Sequence, residues 1–204
     1  MSEPGQFDTA FREQLEELLK WRRDVRRFRS DCVEPKLIAR LLELADYAPS
    51  VGLSQPWRFV AVNGAAARAA IIESYERCNA QALAAYDGDD QTLYARLKLA
   101  GLREAPVHLA VFCDEETRKG KGLGRQTMPE TLRYSVVNAV YTFWLAARAY
   151  GLGVGWVSIL EPGAVRKVLG APDSWSLVAY LCVGYPREEH EDPELERAGW
   201  ETGK

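Results

Sequence analysis

The chain has very little of what metal centres and nucleophile–base pairs are built from. Only two histidines occur, His108 and His190, and the four cysteines, Cys32, Cys78, Cys113 and Cys182, are far apart with no C-x-x-C pair. No metal-site spacing results. Cys113 and Cys182 each end an apolar run, where a thiol is simply a small hydrophobe, and a reducing cytoplasm is the matching compartment. Strong charge of one sign is also missing: the net charge of -3 argues against a broadly nucleic-acid-binding surface. No stretch is long and apolar enough to cross a membrane, and Met1 to Asp8 lacks the apolar core of a targeting segment. What is present is ample core material. With 204 residues and 47% hydrophobic content, a single domain over residues 1–204 is expected.

Against this balanced background, Trp21-Arg22-Arg23-Asp24-Val25-Arg26-Arg27-Phe28 sets four arginines around one carboxylate. Arginine cannot shed its charge, so a cluster repels itself unless something negative sits among the side chains. A phosphate is the natural occupant, and because the charge is local, a small anion fits better than a polymer. A basic turn neutralised by acidic side chains from elsewhere is the other reading. The stretch alone leaves both open.

Periodicity orders the remainder. Asp8 or Thr9 caps a helix whose Phe11, Leu15, Leu18 and Leu19 share a face, and a second helix begins at Pro35 and stacks Leu37, Ile38, Leu41, Leu42 and Ala45 before Pro49 stops it. The Pro-, Gly- and Ser-rich segment Ala48 to Trp57 reads as a loop feeding a strand through Val62. Residues 65–86 are helical, Asp87-Gly88-Asp89-Asp90 interrupts, and a further helix is expected through Leu93, Leu97 and Leu102. Pro106 to Cys113 is a buried strand in which His108 is expected to be a hydrogen-bonded residue rather than a catalyst. Arg118 to Arg125 is a basic, glycine-rich loop without phosphate-loop spacing, possible as a lid. The helix from Glu130 to Tyr150 is apolar around most of its circumference, so it is buried on several faces, either by a second copy in a homodimer or at the centre of a monomeric core.

Gly151-Leu152-Gly153-Val154-Gly155-Trp156 invites comparison with the dinucleotide fingerprint and fails it. The last position is Trp156, and the segment leaves a helix for a strand rather than the reverse. Gly151 reads as a helix cap, and Gly153 and Gly155 as positions where backbone approaches something flat. The strand is expected over Val154 to Leu160 and to carry Ser158; a last core strand spans Ser176 to Gly184. Residues 188–204 form an acidic tail able to wrap a partner subunit. Strands separated by unequal helical blocks predict an α+β fold, a mostly antiparallel sheet flanked by helices.

These blocks together resemble the FMN-binding nitroreductase superfamily. The narrower motifs, Arg22-Arg23-Asp24-Val25-Arg26, Ala48 to Phe59, Gly124 to Glu130, Gly153 to Leu160 and Pro193 to Trp200, resemble the 5,6-dimethylbenzimidazole synthase (BluB) family within it. That resemblance implies a homodimer with active sites at its interface. It also implies an unusual reaction: reduced FMN, supplied by a separate flavin reductase, is consumed with O2 to give 5,6-dimethylbenzimidazole, the lower ligand of vitamin B12, and erythrose 4-phosphate. By the same resemblance, Arg22, Arg23 and Arg26 hold the phosphate and ribityl end of FMN, with Val25 between them, and Arg187 adds a phosphate contact. Ser50, Leu53 and Gln55 line the flavin from the opposing subunit. Leu99 falls where other members place a polar contact to the ring, and Gly155, Trp156 and Val157 lie beside the ring.

Asp24 and Ser158 match the family's two residues tied to fragmentation, and ordinary nitroreductases tend to carry serine at the position of Asp24. Diverting reduced flavin from simply releasing peroxide calls for a positioned base or donor, which Asp24 can be. Ser158 has no apparent base beside it, so it would donate or orient rather than attack. Two alternatives remain. One is a conventional NAD(P)H-dependent FMN nitroreductase; the other is a non-catalytic carrier of reduced FMN.

Overall fold

A computed structural model of the chain describes residues 5–97 and 101–203. Its centre is a four-stranded sheet built from β1 (Trp57–Ala61), β2 (Val107–Asp114), β3 (Gly153–Val157) and β4 (Trp175–Gly184), in the order β1-β2-β4-β3 with every pairing antiparallel. The helices are α1 (Thr9–Trp21), α2 (Pro35–Ala45), α3 (Ala65–Ala84), α4 (Gly88–Arg96), α5 (Gly101–Glu104), α6 (Thr131–Ala149), α7 (Pro162–Val168) and α8 (Glu194–Arg197). This is the α+β arrangement expected, with all four strands where the apolar runs placed them.

The central strands read as continuous apolar runs because both faces are covered. Along β2, Leu109, Val111 and Cys113 join the core against α2 and α6, where Leu41, Ala45, Val136, Val140 and Phe143 pack. The alternate residues Ala110 and Phe112 join the opposite core with Ile71 of α3, Leu102 of α5 and Val165 of α7. His108 lies in that second layer, and its Nδ1 meets the Tyr180 hydroxyl at 2.8 Å. Burial, with the charge of Arg68 adding to it, pushes the imidazole down to about 4. The residue is a neutral core hydrogen-bonding group, as its strand position predicts.

Helix ends follow local chemistry. Asp8 caps α1 by accepting the Phe11 N–H at 2.8 Å. α6 stops in a left-handed glycine: Gly151 has φ +76°, its N–H bonds the Arg148 carbonyl, and the Leu152 N–H reaches back to that of Ala147. α2 ends at Ala45, where the chain turns at Asp46, whose carboxylate then accepts the Trp57 indole N–H at 2.8 Å. Two boundaries differ from the sequence expectation. The expected helix through Leu93, Leu97 and Leu102 is two short ones, α4 and α5. β3 ends at Val157, so Ser158 lies beyond the strand; past the Val157–Tyr180 pair β3 has no further partner on β4, and the Leu160 N–H turns back to the Ser158 carbonyl.

Two helices keep apolar surface in the single chain. α1 buries no residue, with Phe11, Leu15 and Leu19 each at least 40% exposed. α6 buries Val136, Val140 and Phe143 but presents Tyr134, Val137 and Tyr141 to solvent at a helical repeat.

Candidate active site

The arginine segment is laid along the outer edge of β3. Asp24 and Val154 form a parallel bridge, and the Val25 N–H bonds the Val154 carbonyl at 3.0 Å. Further on, Phe28 is fully buried beneath the sheet and bridges Pro186. The glycines of β3 make this fit possible. A Cβ on Gly155 would lie 2.2 Å from the Val25 carbonyl oxygen, and one on Gly153 would lie 2.7 Å from a Val25 methyl. The flat object expected beside these glycines is therefore the chain's own Val25.

Asp24 is held at both oxygens. Oδ1 accepts the Trp156 backbone N–H at 2.9 Å, and Oδ2 faces Arg26 Nε at 3.2 Å. The outward N–H of β3 at Trp156 is thus already engaged by a carboxylate. Charge-assisted bonds of this kind are stronger than neutral ones and fix the side chain's orientation.

The four arginines divide by partner. Arg27 is neutralised, through Glu188 at 2.5 Å and Glu194 at 3.2 Å, and Arg27 in turn holds the Glu188 carboxyl below its usual range. Arg23 donates to the Arg22 carbonyl at 2.9 Å and to the carbonyl of Glu191; burial, then the neighbouring Arg22, lowers its guanidinium. Arg22 stacks over Tyr141 and Trp144, at 5.8 and 5.3 Å from the ring centroids, and its buried Nε has no hydrogen-bond partner among the described residues. Arg26 is bound to Asp24 and only 12% exposed. Neutralisation by acidic side chains from elsewhere therefore holds for Arg27. Arg27 is paired with carboxylates from the tail, while Arg22 and Arg26 line a cavity of about 160 Å³ with donors to spare. A buried donor without a partner is destabilising unless something occupies the space it faces.

Arg187 lies at the same end. Its N–H bonds the Arg27 carbonyl at 3.1 Å, and its guanidinium meets Glu104 at 3.2 Å. The other oxygen of Glu104 accepts the Phe28 N–H at 3.1 Å, so one carboxylate ties the arginine segment to Arg187.

The loop before β1 forms a second group. Ser50 Oγ accepts the Gln55 N–H at 3.1 Å, and the Val51 N–H bonds Ser135 of α6 at 3.0 Å. Leu53 and Gln55 are non-glycine residues in the left-handed region, with φ of +56° and +42°. Such backbone strain is stored where surrounding structure fixes it, and it marks functional loops. Leu53 is 71% exposed, and the Gln55 amide contacts Lys119 of the basic loop. Gly52 and Gly120 meet back to back, since a Cβ on Gly120 would approach the Gly52 carbonyl oxygen to 2.6 Å. A cavity of about 820 Å³ opens between these loops.

The family model of the nitroreductase family matches residues 19–185. A 5,6-dimethylbenzimidazole synthase of Rhodospirillum rubrum is 61% identical over 96% of this chain and 93% of its own length. One from Rhodobacter capsulatus is 46% identical over 96% and 94%. The chain belongs to the nitroreductase family, in its 5,6-dimethylbenzimidazole synthase branch. Among solved structures, an iodotyrosine deiodinase bound to FMN and 3-iodo-L-tyrosine is similar, with TM-score 0.73 and 28% identity, covering 86% of this chain and 91% of that one. A nitroreductase-like protein of Streptococcus mutans, at TM-score 0.67 and 22% identity over 88% and 91%, shares the nitroreductase fold.

On this nitroreductase scaffold, Arg22, Arg23, Asp24, Val25, Arg26, Gly155 and Trp156 come together at the edge of β3, with Val157 closing the strand and Arg187 beside Phe28. Ser158 follows, exposed, and its hydroxyl makes no hydrogen bond among the described residues. Ser50, Leu53 and Gln55 form their own group beside the basic loop. Leu99 lies outside the described residues. Sequence reasoning missed Glu104, Trp144, Tyr141 and the tail glutamates. Nothing local marks these residues, because each is brought to the arginines across more than 70 positions of chain.

Proposed function

We propose that this chain consumes reduced FMN in an O2-dependent fragmentation that yields 5,6-dimethylbenzimidazole and erythrose 4-phosphate. The observation that carries the reading is Asp24: a carboxylate fixed between the Trp156 N–H and Arg26, at the wall of a cavity lined by arginines. Its further support is the identity with synthases of that name.

The residues present suit the group. The unpartnered Arg22 Nε, Arg23 and Arg26 provide fixed cationic donors for a phosphate, and the aromatic faces of Tyr141 and Trp144 hold Arg22 without neutralising it. Reduced FMN, when bound, supplies both the electrons and the ring that is cleaved. The chain's part is then positioning and proton handling. Arg22, Arg23 and Arg26, assisted by Arg187, anchor the phosphate end. Asp24 would serve as the base, its orientation fixed by the Trp156 N–H at Oδ1 and by Arg26 at Oδ2. The Ser158 hydroxyl, free of other partners, donates from the end of β3.

The exposed stripes of α1 and α6 support a homodimer, in which a second copy would bring Ser50, Leu53 and Gln55 to the ring. O2 as co-substrate, a separate reductase as the source of reduced FMN, and a cytoplasmic setting for the four free thiols belong to the same proposal. None of the described helices is long and apolar enough to cross a membrane.

The test is product analysis. Purified protein, FMN, a flavin reductase with NADH, and air are expected to yield dimethylbenzimidazole by mass spectrometry, with loss of the flavin. Flavin that survives many rounds of reduction and reoxidation overturns the proposal in favour of a conventional flavin reductase.

A further inference from the structure

We infer that the C-terminal tail, residues 188–200, is a selectivity element: it closes the phosphate end of the cradle so that a flavin ending in a phosphomonoester is admitted and one extended by an adenylate is refused. The inference rests on the reading above that the arginine cavity takes the flavin phosphate.

The tail crosses directly over the arginines. Glu188 and Glu194 bond Arg27, Glu189 bonds Arg148 at 2.6 Å, and the Glu191 carbonyl accepts from Arg23. The phosphate cavity therefore has two kinds of wall. Arg22, Arg23, Asp24 and Arg26 form one, and Pro193, Glu194 and Leu195 form the other. Its volume of about 160 Å³ falls short of the roughly 300–1,000 Å³ that drug-sized ligands fill. That volume suits a phosphoryl group, and an adenylate would have to extend past Pro193, Glu194 and Leu195.

Charge does not discriminate here. A terminal phosphomonoester and the pyrophosphate of a dinucleotide both carry about two negative charges, which Arg22 and Arg26 meet equally well. Space decides, and space is set by where the tail is held. The ion pairs at Glu188 and Glu189 are partly exposed, and such pairs contribute little individually. The firmer anchor is Trp200, which meets Tyr86 edge-on at 5.6 Å and Tyr94 at 6.2 Å, while its N–H bonds the Leu195 carbonyl at 2.9 Å. Those two tyrosines stack at 4.9 Å and join the end of α3 to α4. Trp200 is thus a positioning residue. It holds Pro193 to Leu195 in place through the last turn of the tail.

The experiment measures dissociation constants for FMN, FAD and riboflavin by flavin fluorescence, in the intact chain and in Trp200→Ala and Leu195→Ala. The intact chain is expected to prefer FMN over both other flavins. Each variant should lower the FMN-over-FAD preference by about tenfold or more, chiefly by tightening FAD, while FMN stays preferred over riboflavin. Two variants are used so that one that fails to fold, as seen by circular dichroism, leaves the other. An unchanged FMN-over-FAD ratio in the folded variants, or an intact chain that binds FAD as tightly as FMN, overturns the role of the tail. Riboflavin binding as tightly as FMN overturns the phosphate reading itself, so the two failures are distinguishable.

Discussion

Replacing Gly155 with alanine should damage stability and the site together. The new Cβ would sit 2.2 Å from the Val25 carbonyl oxygen, a backbone atom that no rotamer can move aside. Residues 24–28 would have to lift from β3. Overpacking of a tight interior ordinarily destabilises by about 1–3 kcal/mol. Lifting the segment also breaks the hydrogen bond from Val25 to Val154 and the charge-assisted one from Trp156 to Asp24, worth about 1 and 1.5–3 kcal/mol. Because these losses share one displacement they are not fully additive, and a total of about 3–5 kcal/mol is expected. Urea unfolding read by tryptophan fluorescence measures the loss, and FMN titration should show weaker binding. Gly163→Ala is the control. It lies in α7 with its nearest neighbour 3.9 Å from the added atom, and it should be neutral or stabilising by up to about 1 kcal/mol. A Gly155→Ala protein within about 1 kcal/mol of the parent, binding FMN normally, would refute the claim that this close approach builds the site.

Other outcomes follow from the same geometry. Asp24→Asn keeps an acceptor for the Trp156 N–H, so it should bind FMN near normally while product formation falls by about two to four orders of magnitude, read by mass spectrometry. Ser158→Ala should leave stability within about 0.5 kcal/mol, since the side chain is exposed and unbonded, yet reduce product yield. Tyr141→Glu and Val137→Glu, on the exposed stripe of α6, should shift a dimer toward monomer in sedimentation. Stability should also fall with acid. His108 is held at about 4 when folded and titrates near 6.5 when unfolded. The unfolded chain therefore binds the extra proton first, and stability that is intact above pH 6.5 is lost as pH drops towards 4, by about 3 kcal/mol from this group.

The sheet was legible in the sequence because β2 and β4 are buried on both faces and appear as unbroken apolar runs. Asp24 was legible for a different reason, as a lone carboxylate among arginines. The roles of Gly153 and Gly155 were not. Glycine in a strand announces that backbone comes close, but not whose backbone, and the partner turned out to be Val25, some 130 positions earlier. The end of β3 was misjudged for a related reason: the apolar residues continue to Leu160, whereas pairing stops where β4 has no partner left to offer. The acidic tail forms ion pairs with Arg27 and Arg148 of its own chain. Composition marked it as acidic and could not say which cations it would meet.

The bridge between Asp24 and Val154 has a consequence beyond chemistry. β3 is the last strand on its side of the sheet, and its sequence, Gly-Val-Gly-Trp-Val, carries no charge and no proline. Left bare, an edge of that kind is a template for other chains to join. The arginine segment covers it, satisfying the outward N–H of Trp156 and carbonyl of Val154 and placing a row of cations where a foreign strand would dock. The stretch proposed to hold the phosphate also shields this edge, so variants that detach it from β3 should aggregate more than the parent in light scattering.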